Sequence, residues 1–437
     1  MSFKKIYIDN LGCAKNQVNA EIMVASLSEA GYRLSEAADA DVIIVNSCGF
    51  VESAKKEAIQ HFFSAKNNYK AKIVFAGCMA ERYGDELKEL LTEADGLYAG
   101  KPEVVGSFVE QLQGNPIIKA AAGPLKRKER FSFNGSAYLK IAEGCNNGCR
   151  YCAIPLIKGP LISRNSAEII NEFNFLLEDG VKEINLIAQD LASYGFDKGQ
   201  SLYQLLKELS KIDKTFYARL LYLHPDLFPL EILELIANDS RFLPYFDIPF
   251  QHAGSKVLKN MGRNGDSASY LKLIDAIRTK LPQAVIRSTF LFGFPGETKE
   301  DFNDVLNFIH KAKLDYAAGF TYSREEGTAA YKEAGNKNLA VSSKLAKQRL
   351  GIFNEQQQII SRNQLKRYLG HSYDALIEEP IKGSNLYLGR IYSQAPEVDG
   401  LTLIESAAHL TAGNVVKVTI TGTTGAIDLT ATVDETL

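Results

Sequence analysis

Cys145, Cys149 and Cys152 fall within the run Cys145-Asn-Asn-Gly-Cys149-Arg-Tyr-Cys152. Three thiolates at C-x3-C-x2-C spacing hold three corners of a cubane iron–sulfur cluster, which is ordinarily held by four. The fourth iron is then free to bind something else, so the run points to chemistry at a metal rather than electron storage alone. A structural zinc site is a second reading, although zinc takes four ligands, often in C-x2-C pairs, and the nearest histidines are His61 and His224. A disulfide is a third, and it requires an oxidising compartment. The remaining cysteines, Cys13, Cys48 and Cys78, make a second set of three, each next to a glycine: Gly12, Gly49 and Gly77.

The elements around the second set alternate between strand and helix patterns. Strands are expected at Lys4–Asp9, Asp41–Val45 and Lys72–Ala76, and helices at Ala20–Ala30, Glu52–Ala65 and Glu81–Leu91. Alternation of this kind builds a parallel sheet with helices on its faces. Each of the three cysteines lies just past a strand, at the edge where open α/β sheets bind ligands. Positions about 30 residues apart therefore converge, and the flanking glycines let the backbone approach a bulky group. Three buried cysteines acting as small apolar residues are the bland alternative.

Strand-then-loop units recur from about residue 135 to 360. Strands at Ala137–Ile141, Glu183–Ile187, Tyr217–Leu223, Tyr245–Ile248, Ala284–Phe292 and Ala317–Tyr322 each run into a polar loop. The loops contain the Cys145–Cys152 run, Asp190, His224 with Asp226, His252, Gly293–Glu297 and Ser323–Gly327. Six such units suggest a full or partial α/β barrel, whose chemistry sits at the C-terminal ends of its strands. A lone histidine such as His252 is more often structural than catalytic. Val341–Leu369 reads as a long amphipathic helix that Gly351 interrupts. The last seventy residues turn to short β runs rich in Gly and Thr, which suggests a small all-β barrel.

At 437 residues the chain is expected to divide into two to four domains. A formal net charge of −2 excludes a polyanion binder by bulk charge. Ala120–Arg130 reads as a linker whose basic run is solvated. From Lys366 onward five Lys/Arg stand against nine Asp/Glu, a better match for a basic protein surface than for phosphate, so direct nucleic-acid binding is not expected. No apolar stretch approaches the ~18 residues of a membrane span, and the N-terminus carries no signal-peptide core. The expectation is a cytoplasmic protein with reduced cysteines and no membrane partner.

Together, Cys145–Cys152, the Gly293-Phe-Pro-Gly-Glu297 stretch and the six-unit barrel resemble the radical S-adenosylmethionine enzymes. The three-cysteine N-terminal region and the C-terminal barrel, of TRAM type, resemble their methylthiotransferase branch. Tyr138–Gly144, Ile187–Asp190 with Tyr194 and Gly195, Tyr222–Asp226, Tyr245–Pro249, Glu325–Thr328 and Ala395–Gly400 resemble the members that methylthiolate an aspartate of small-subunit ribosomal protein twelve. The resemblance spans essentially the whole chain. It implies an α/β architecture of four segments. Residues 1–115 form a Rossmann- or flavodoxin-like cluster-binding domain and 116–134 a linker. Residues 135–362 form a partial (β/α)6 TIM-type barrel, and 363–437 an OB-like TRAM barrel.

The resemblance also implies the chemistry. Cys145, Cys149 and Cys152 hold one 4Fe–4S cluster whose open iron takes the amine and carboxylate of S-adenosylmethionine. Cys13, Cys48 and Cys78 hold a second 4Fe–4S cluster that carries the sulfur to be transferred. An aspartate β-carbon is too weakly acidic for base catalysis, so a radical is the reasonable tool. An electron donor such as flavodoxin or ferredoxin is implied. The family's Gly-Gly-Glu run is here Gly180-Val-Lys-Glu183, which makes Glu183 a candidate for the methionine amine. Arg164 and Arg219 are candidates for the cofactor carboxylate or ribose, with a structural ion pair as the alternative for each. Gly293, Pro295 and Gly296 are candidates for the cofactor-binding loop. Two rival functions remain: a tRNA adenosine methylthiotransferase, and a non-catalytic, metal-stabilised ribosome-binding protein.

Overall fold

A computed structural model describes residues 4–114 and 126–434. The N-terminal sheet contains β1 (Lys4–Asn10), β2 (Tyr32–Leu34), β3 (Val42–Ser47), β4 (Lys72–Gly77) and β5 (Gly96–Tyr98), in the order β2-β1-β3-β4-β5. Its pairings are parallel. The connecting helices are α1 (Ala14–Glu29), α2 (Glu52–Asn68), α3 (Cys78–Leu90) and α4 (Val105–Leu112). All six residues of β3, Val-Ile-Ile-Val-Asn-Ser, are buried, as expected for a strand covered on both faces. Alternation along the strands sends Val42, Ile44, Val74 and Ala76 to one core and Ile43, Val45, Ile73 and Phe75 to the other. The sequence expectation lacked β2 and β5, edge strands of three residues each. It also started two helices late: α1 begins at Ala14 and α3 at Cys78 itself.

The central sheet is built from β6 (Ser136–Lys140), β9 (Glu183–Ile187), β10 (Tyr217–Leu220), β11 (Phe242–Asp247), β12 (Val285–Phe292) and β13 (Tyr316–Thr321). A two-residue hairpin of β7 (Ala142–Glu143) and β8 (Ile162–Ser163), with α5 (Ile154–Lys158) between them, brackets the cysteine loop. The six strands lie in the order β13-β12-β11-β10-β9-β6 without closing, so the barrel is partial. Ile184, Leu186, Ala218, Leu220, Phe242, Phe246, Ile286 and Phe290 face the outer helices in the main core. Burial of each large side chain there contributes roughly 1.5–3 kcal/mol. The other face carries Tyr138, Ile187, Tyr245, Val285 and Tyr316, which pack around Ala395 and the first turns of α1. The long helix runs Ser343–Leu365. Gly351 does not interrupt it, because that position faces open space and helical backbone costs glycine little beyond entropy.

Strands β14 (Ser372–Pro380), β15 (Leu386–Ile391), β16 (Thr402–Glu405), β17 (Val415–Thr424) and β18 (Asp428–Val433) close into a barrel in the order β14-β15-β16-β18-β17. It caps the N-terminal ends of the central strands. Arg390 on β15 pairs with Glu183, the first residue of β9, and with Glu378 on β14. Asp399 lies 3.3 Å from Arg287 and accepts from the Tyr245 hydroxyl at 2.5 Å.

Residues 120–125 of the expected linker lie outside the described residues. The rest of its basic run is not simply solvated. Arg127 is buried, pairs with Glu21 and Glu172 and donates to the Tyr138 carbonyl at 2.8 Å, while Arg130 pairs with Asp179. A buried guanidinium has to be matched by carboxylates, so this segment staples α1 to the barrel.

Candidate active site

In the loop after β7, backbone N–H groups point at two of the three cysteine sulfurs. The Asn147 N–H points at Cys145 Sγ at 3.5 Å and the Ile154 N–H at Cys152 Sγ at 3.4 Å. Donors aimed at sulfur favour its anionic form. Asp190, just past β9, ties the loop to its neighbours. It accepts from Asn147 Nδ2 at 2.8 Å, from the His224 N–H at 3.1 Å and from the Ser193 hydroxyl at 2.5 Å. His224 Nε2 lies 3.9 Å from Cys149 Sγ, and Asp226 accepts from the Asn264 N–H at 2.9 Å. Burial, together with neighbouring Cys149 and Cys145, pushes the Cys152 thiol up to about 12. Three crowded thiols resist ionising together unless a cationic group joins them.

The second set converges as its strand-end positions require. Cys13 is the residue before α1, Cys48 follows β3 and Cys78 opens α3. A Cβ added to Gly12 would lie 3.0 Å from Cys48 Cβ, and one on Gly49 2.8 Å from the Cys78 carbonyl. Gly77 has φ +85° and would meet Asn46 Oδ1 at 2.6 Å. The glycines thus permit the loops to touch. Asn16, which the sequence reading did not single out, knots the loops. Its Nδ2 donates to Leu11 O at 2.5 Å and Asn46 O at 3.0 Å, and its Oδ1 lies 3.8 Å from Cys78 Sγ. Burial, against the opposing charge of Lys158 and with Glu81, Cys13 and Cys48 beside it, pushes the Cys78 thiol up to about 12.

Ion pairs across the interface fix the two cysteine loops relative to each other. Lys158, which ends α5, pairs with Glu81 on α3 at 2.7 Å. Glu325, past β13, pairs with Arg82 at 2.7 Å and Lys55 at 2.9 Å. The C-terminal edges of the two parallel sheets therefore face one another.

The remaining candidates fall elsewhere. Glu183 and Arg219 are not brought to the cysteine loop. Glu183 registers with Ser136 at the opposite end of the sheet, and Arg219 pairs with it at 2.7 Å. Both belong to the docking contact with the C-terminal barrel, because the sheet polarity puts the start of β9 at its floor. Arg164 is held by Glu172 at 2.7 Å and the Lys140 carbonyl at 2.8 Å, the ion-pair alternative. Gly293 and Gly296, with φ +84° and +81°, do lie at the correct end, with Pro295 between them. Glu297 fixes their loop by accepting the Gly293 N–H at 2.5 Å, and Arg349 holds Glu297 at 2.7 Å. His252 is buried and accepts the Gly254 N–H at 2.9 Å, a structural placement. Gln189, missed in the sequence, follows β9 beside the cysteine loop. It donates to Glu143 at 2.5 Å and leaves its buried Oε1 without a partner.

The donor sets suit the groups that the sequence implies. Both are all-thiolate. The orphaned Gln189 Oε1 is an acceptor suited to an ammonium at the open side of the Cys145–Cys152 loop.

Three family models match the chain: Uncharacterized protein family UPF0004 over residues 5–99, the Radical SAM superfamily over 139–309 and the TRAM domain over 369–433. The ribosomal protein uS12 methylthiotransferase RimO of Treponema denticola is 42% identical, over 91% of this chain and 92% of its own. The protein of the same name from Clostridium botulinum is 40% identical over 96% of each. Among solved structures, the radical S-adenosylmethionine methyltransferase TsrM from Kitasatospora setae, with cobalamin and a 4Fe–4S cluster bound, superposes with a TM-score of 0.56. It is 13% identical over 76% of this chain and 77% of that one, which shows a shared fold.

Proposed function

The chain belongs to the family of ribosomal protein uS12 methylthiotransferases named RimO, and on that premise we propose that it adds a methylthio group to the β-carbon of an aspartate in uS12. It is a radical S-adenosylmethionine transferase that uses S-adenosylmethionine and 4Fe–4S clusters. The observation that carries the reading is the apposition of two three-cysteine loops at the facing C-terminal edges of two parallel sheets, fixed by Lys158–Glu81 and Glu325–Arg82.

In this reading Cys145, Cys149 and Cys152 hold one cluster and Cys13, Cys48 and Cys78 the other. The bound cofactors supply a carbon-centred radical that takes hydrogen from an unactivated C–H bond, chemistry that no side chain offers. The protein's part is positioning. Asp190 and Asn147 set one loop, Asn16 sets the other, and the interface ion pairs keep the distance between them. The Gly293–Glu297 loop, pinned by Arg349, walls the same end of the barrel. Gln189 Oε1 takes over the role of amine acceptor first assigned to Glu183. Rigid placement of reacting groups is worth several orders of magnitude in rate.

The partner surface is the outer face of the C-terminal barrel. Glu378 and Asp399 are consumed in buried ion pairs, but Glu379 and Glu405 remain exposed and suit a basic ribosomal protein. We assign the chain to the cytoplasm, with flavodoxin or ferredoxin as electron donor. Among the described residues no helix is long and apolar enough to cross a membrane.

The test is anaerobic reconstitution followed by mass spectrometry of uS12 and tRNA incubated with enzyme, S-adenosylmethionine, sulfide and reductant. A methylthio group on the uS12 aspartate is expected. A methylthio group on tRNA with unmodified uS12 would overturn the assignment.

A further inference from the structure

Lys15 lies in the first turn of α1, two residues past Cys13, and is partly buried. Its Nζ sits 3.5 Å from the centroid of the Tyr222 ring. Tyr222 follows β10 and has φ +66°, a left-handed conformation that costs a bulky residue on the order of 1–3 kcal/mol. Two residues later, His224 touches Cys149. The ammonium therefore stands between the loop of one cysteine set and the segment that abuts the other.

The groups that face it are the Tyr222 ring, Cys13 and two carboxylates. The carboxylates facing it are Asp247 and Glu143. Asp247 is engaged by Arg287 at 3.1 Å, and Glu143 by Lys140 and Gln189. Among the described residues no carboxylate forms an ion pair with Lys15. A cation in the first turn of a helix also opposes the helix dipole. An ammonium with no carboxylate bonded to it keeps its N–H donors for an anion that enters.

The substrate brings such an anion. An aspartate side chain that enters a space bordered by two sets of cysteine sulfurs meets like charge on both sides unless a cation receives it. We propose that Lys15 binds the carboxylate of the target aspartate and so sets its β-carbon between the two cysteine loops. This rests on the methylthiotransferase reading above. Lys15 is then the residue that selects aspartate over its neutral isostere asparagine, through a charge-assisted hydrogen bond. Tyr222 carries the ammonium on its ring face.

Reconstituted full-length protein is titrated with two synthetic peptides of the uS12 loop, one with the target aspartate and one with asparagine in its place. S-adenosylmethionine affinity and iron content are measured alongside. Wild type is expected to bind the aspartate peptide about 10- to 100-fold more tightly, the range for a hydrogen bond between charged groups. Lys15→Met and Lys15→Gln remove that preference by weakening the aspartate peptide alone, and Lys15→Arg keeps most of it. Retained preference in Lys15→Met, equal weakening of both peptides, or loss of S-adenosylmethionine affinity instead would overturn the proposal. Loss of iron from both neutral variants would likewise make Lys15 structural. If the wild type fails to methylthiolate the aspartate peptide, the underlying function falls. If it succeeds while Lys15→Met discriminates equally well, only the role of Lys15 falls.

Discussion

The Arg390 guanidinium reaches both oxygens of the Glu183 carboxylate, at 3.1 and 2.6 Å, from a different barrel of the same chain. Arg219 approaches the same carboxylate from the next strand at 2.7 Å. Burial alone would raise the Glu183 carboxyl, but the two guanidinium groups override it and hold it far below the usual range. The stabilisation is present above the ordinary glutamate value of about 4.3 and is lost only as pH falls through the depressed one.

Glu183→Gln leaves two buried cations short of a counter-charge. Removing one partner of a buried pair costs about 3–5 kcal/mol. Denaturant unfolding is expected to show a loss of that size, with S-adenosylmethionine affinity at the wild-type level. A variant that kept its stability and lost cofactor affinity would return Glu183 to the active site.

His252 gives the fold a sensitivity to mild acid. Burial lowers its pKa to about 4, Arg349 adds to that, and Asp301 opposes it. The unfolded chain takes a proton near the ordinary value of about 6.5, whereas the folded protein refuses it until about 4. Stability therefore falls as pH drops through that window, by about 3 kcal/mol in all, and this residue contributes no further change below it. In His252→Asn, whose amide oxygen can still accept the Gly254 N–H, urea unfolding between pH 7 and pH 4 is expected to lose that part of the slope. An unchanged slope would mean that another group is responsible.

How much of this was legible in the sequence depended on the range of the interaction. β9 was read to the residue, because Glu-Ile-Asn-Leu-Ile is a short apolar-rich run and a turn glycine precedes it. The convergence of Cys13, Cys48 and Cys78 followed from strand ends alone. The misplaced residues, Glu183, Arg219 and Arg127, are all charged side chains whose partners lie tens to hundreds of positions away. As the first residue of a parallel strand Glu183 had to lie at the end away from the chemistry, whereas its partner Arg390, 207 positions on, was not legible. Asn16 and Gln189 were legible in principle, since each sits within three residues of a cysteine or a strand-end aspartate. Their roles appear only when the loops are seen to touch.

Gly77 tests whether the second cysteine set depends on close backbone approach. Its φ of +85° with ψ of −162° lies in a region essentially confined to glycine, costing other residues on the order of 1–3 kcal/mol. In Gly77→Ala the new Cβ also meets the Ser47 carbonyl at 2.6 Å. The expected result is a folded protein that binds about half the wild-type iron, because only the strand-end loops of β3 and β4 are pushed apart. Full iron content would show that the loops adjust without losing their ligand geometry.

The two cysteine sets have separate supports, Asn16 for one and Asn147 with Asp190 for the other, so their functions are separable. Cys149→Ala is expected to retain about four of some eight irons and to lose both S-adenosylmethionine cleavage and product. Cys48→Ala is expected to retain a similar number, to release 5′-deoxyadenosine and to make no methylthiolated peptide. The asymmetry follows from position: Cys149 lies against His224 at the mouth of the barrel, whereas Cys48 lies in the facing sheet beyond the Glu325–Arg82 pair. Iron content, nucleoside release and peptide mass on the two variants decide the matter together. Full methylthiolation by Cys48→Ala would mean that one cluster does both tasks, and the division of labour between the two sheets would have to be abandoned.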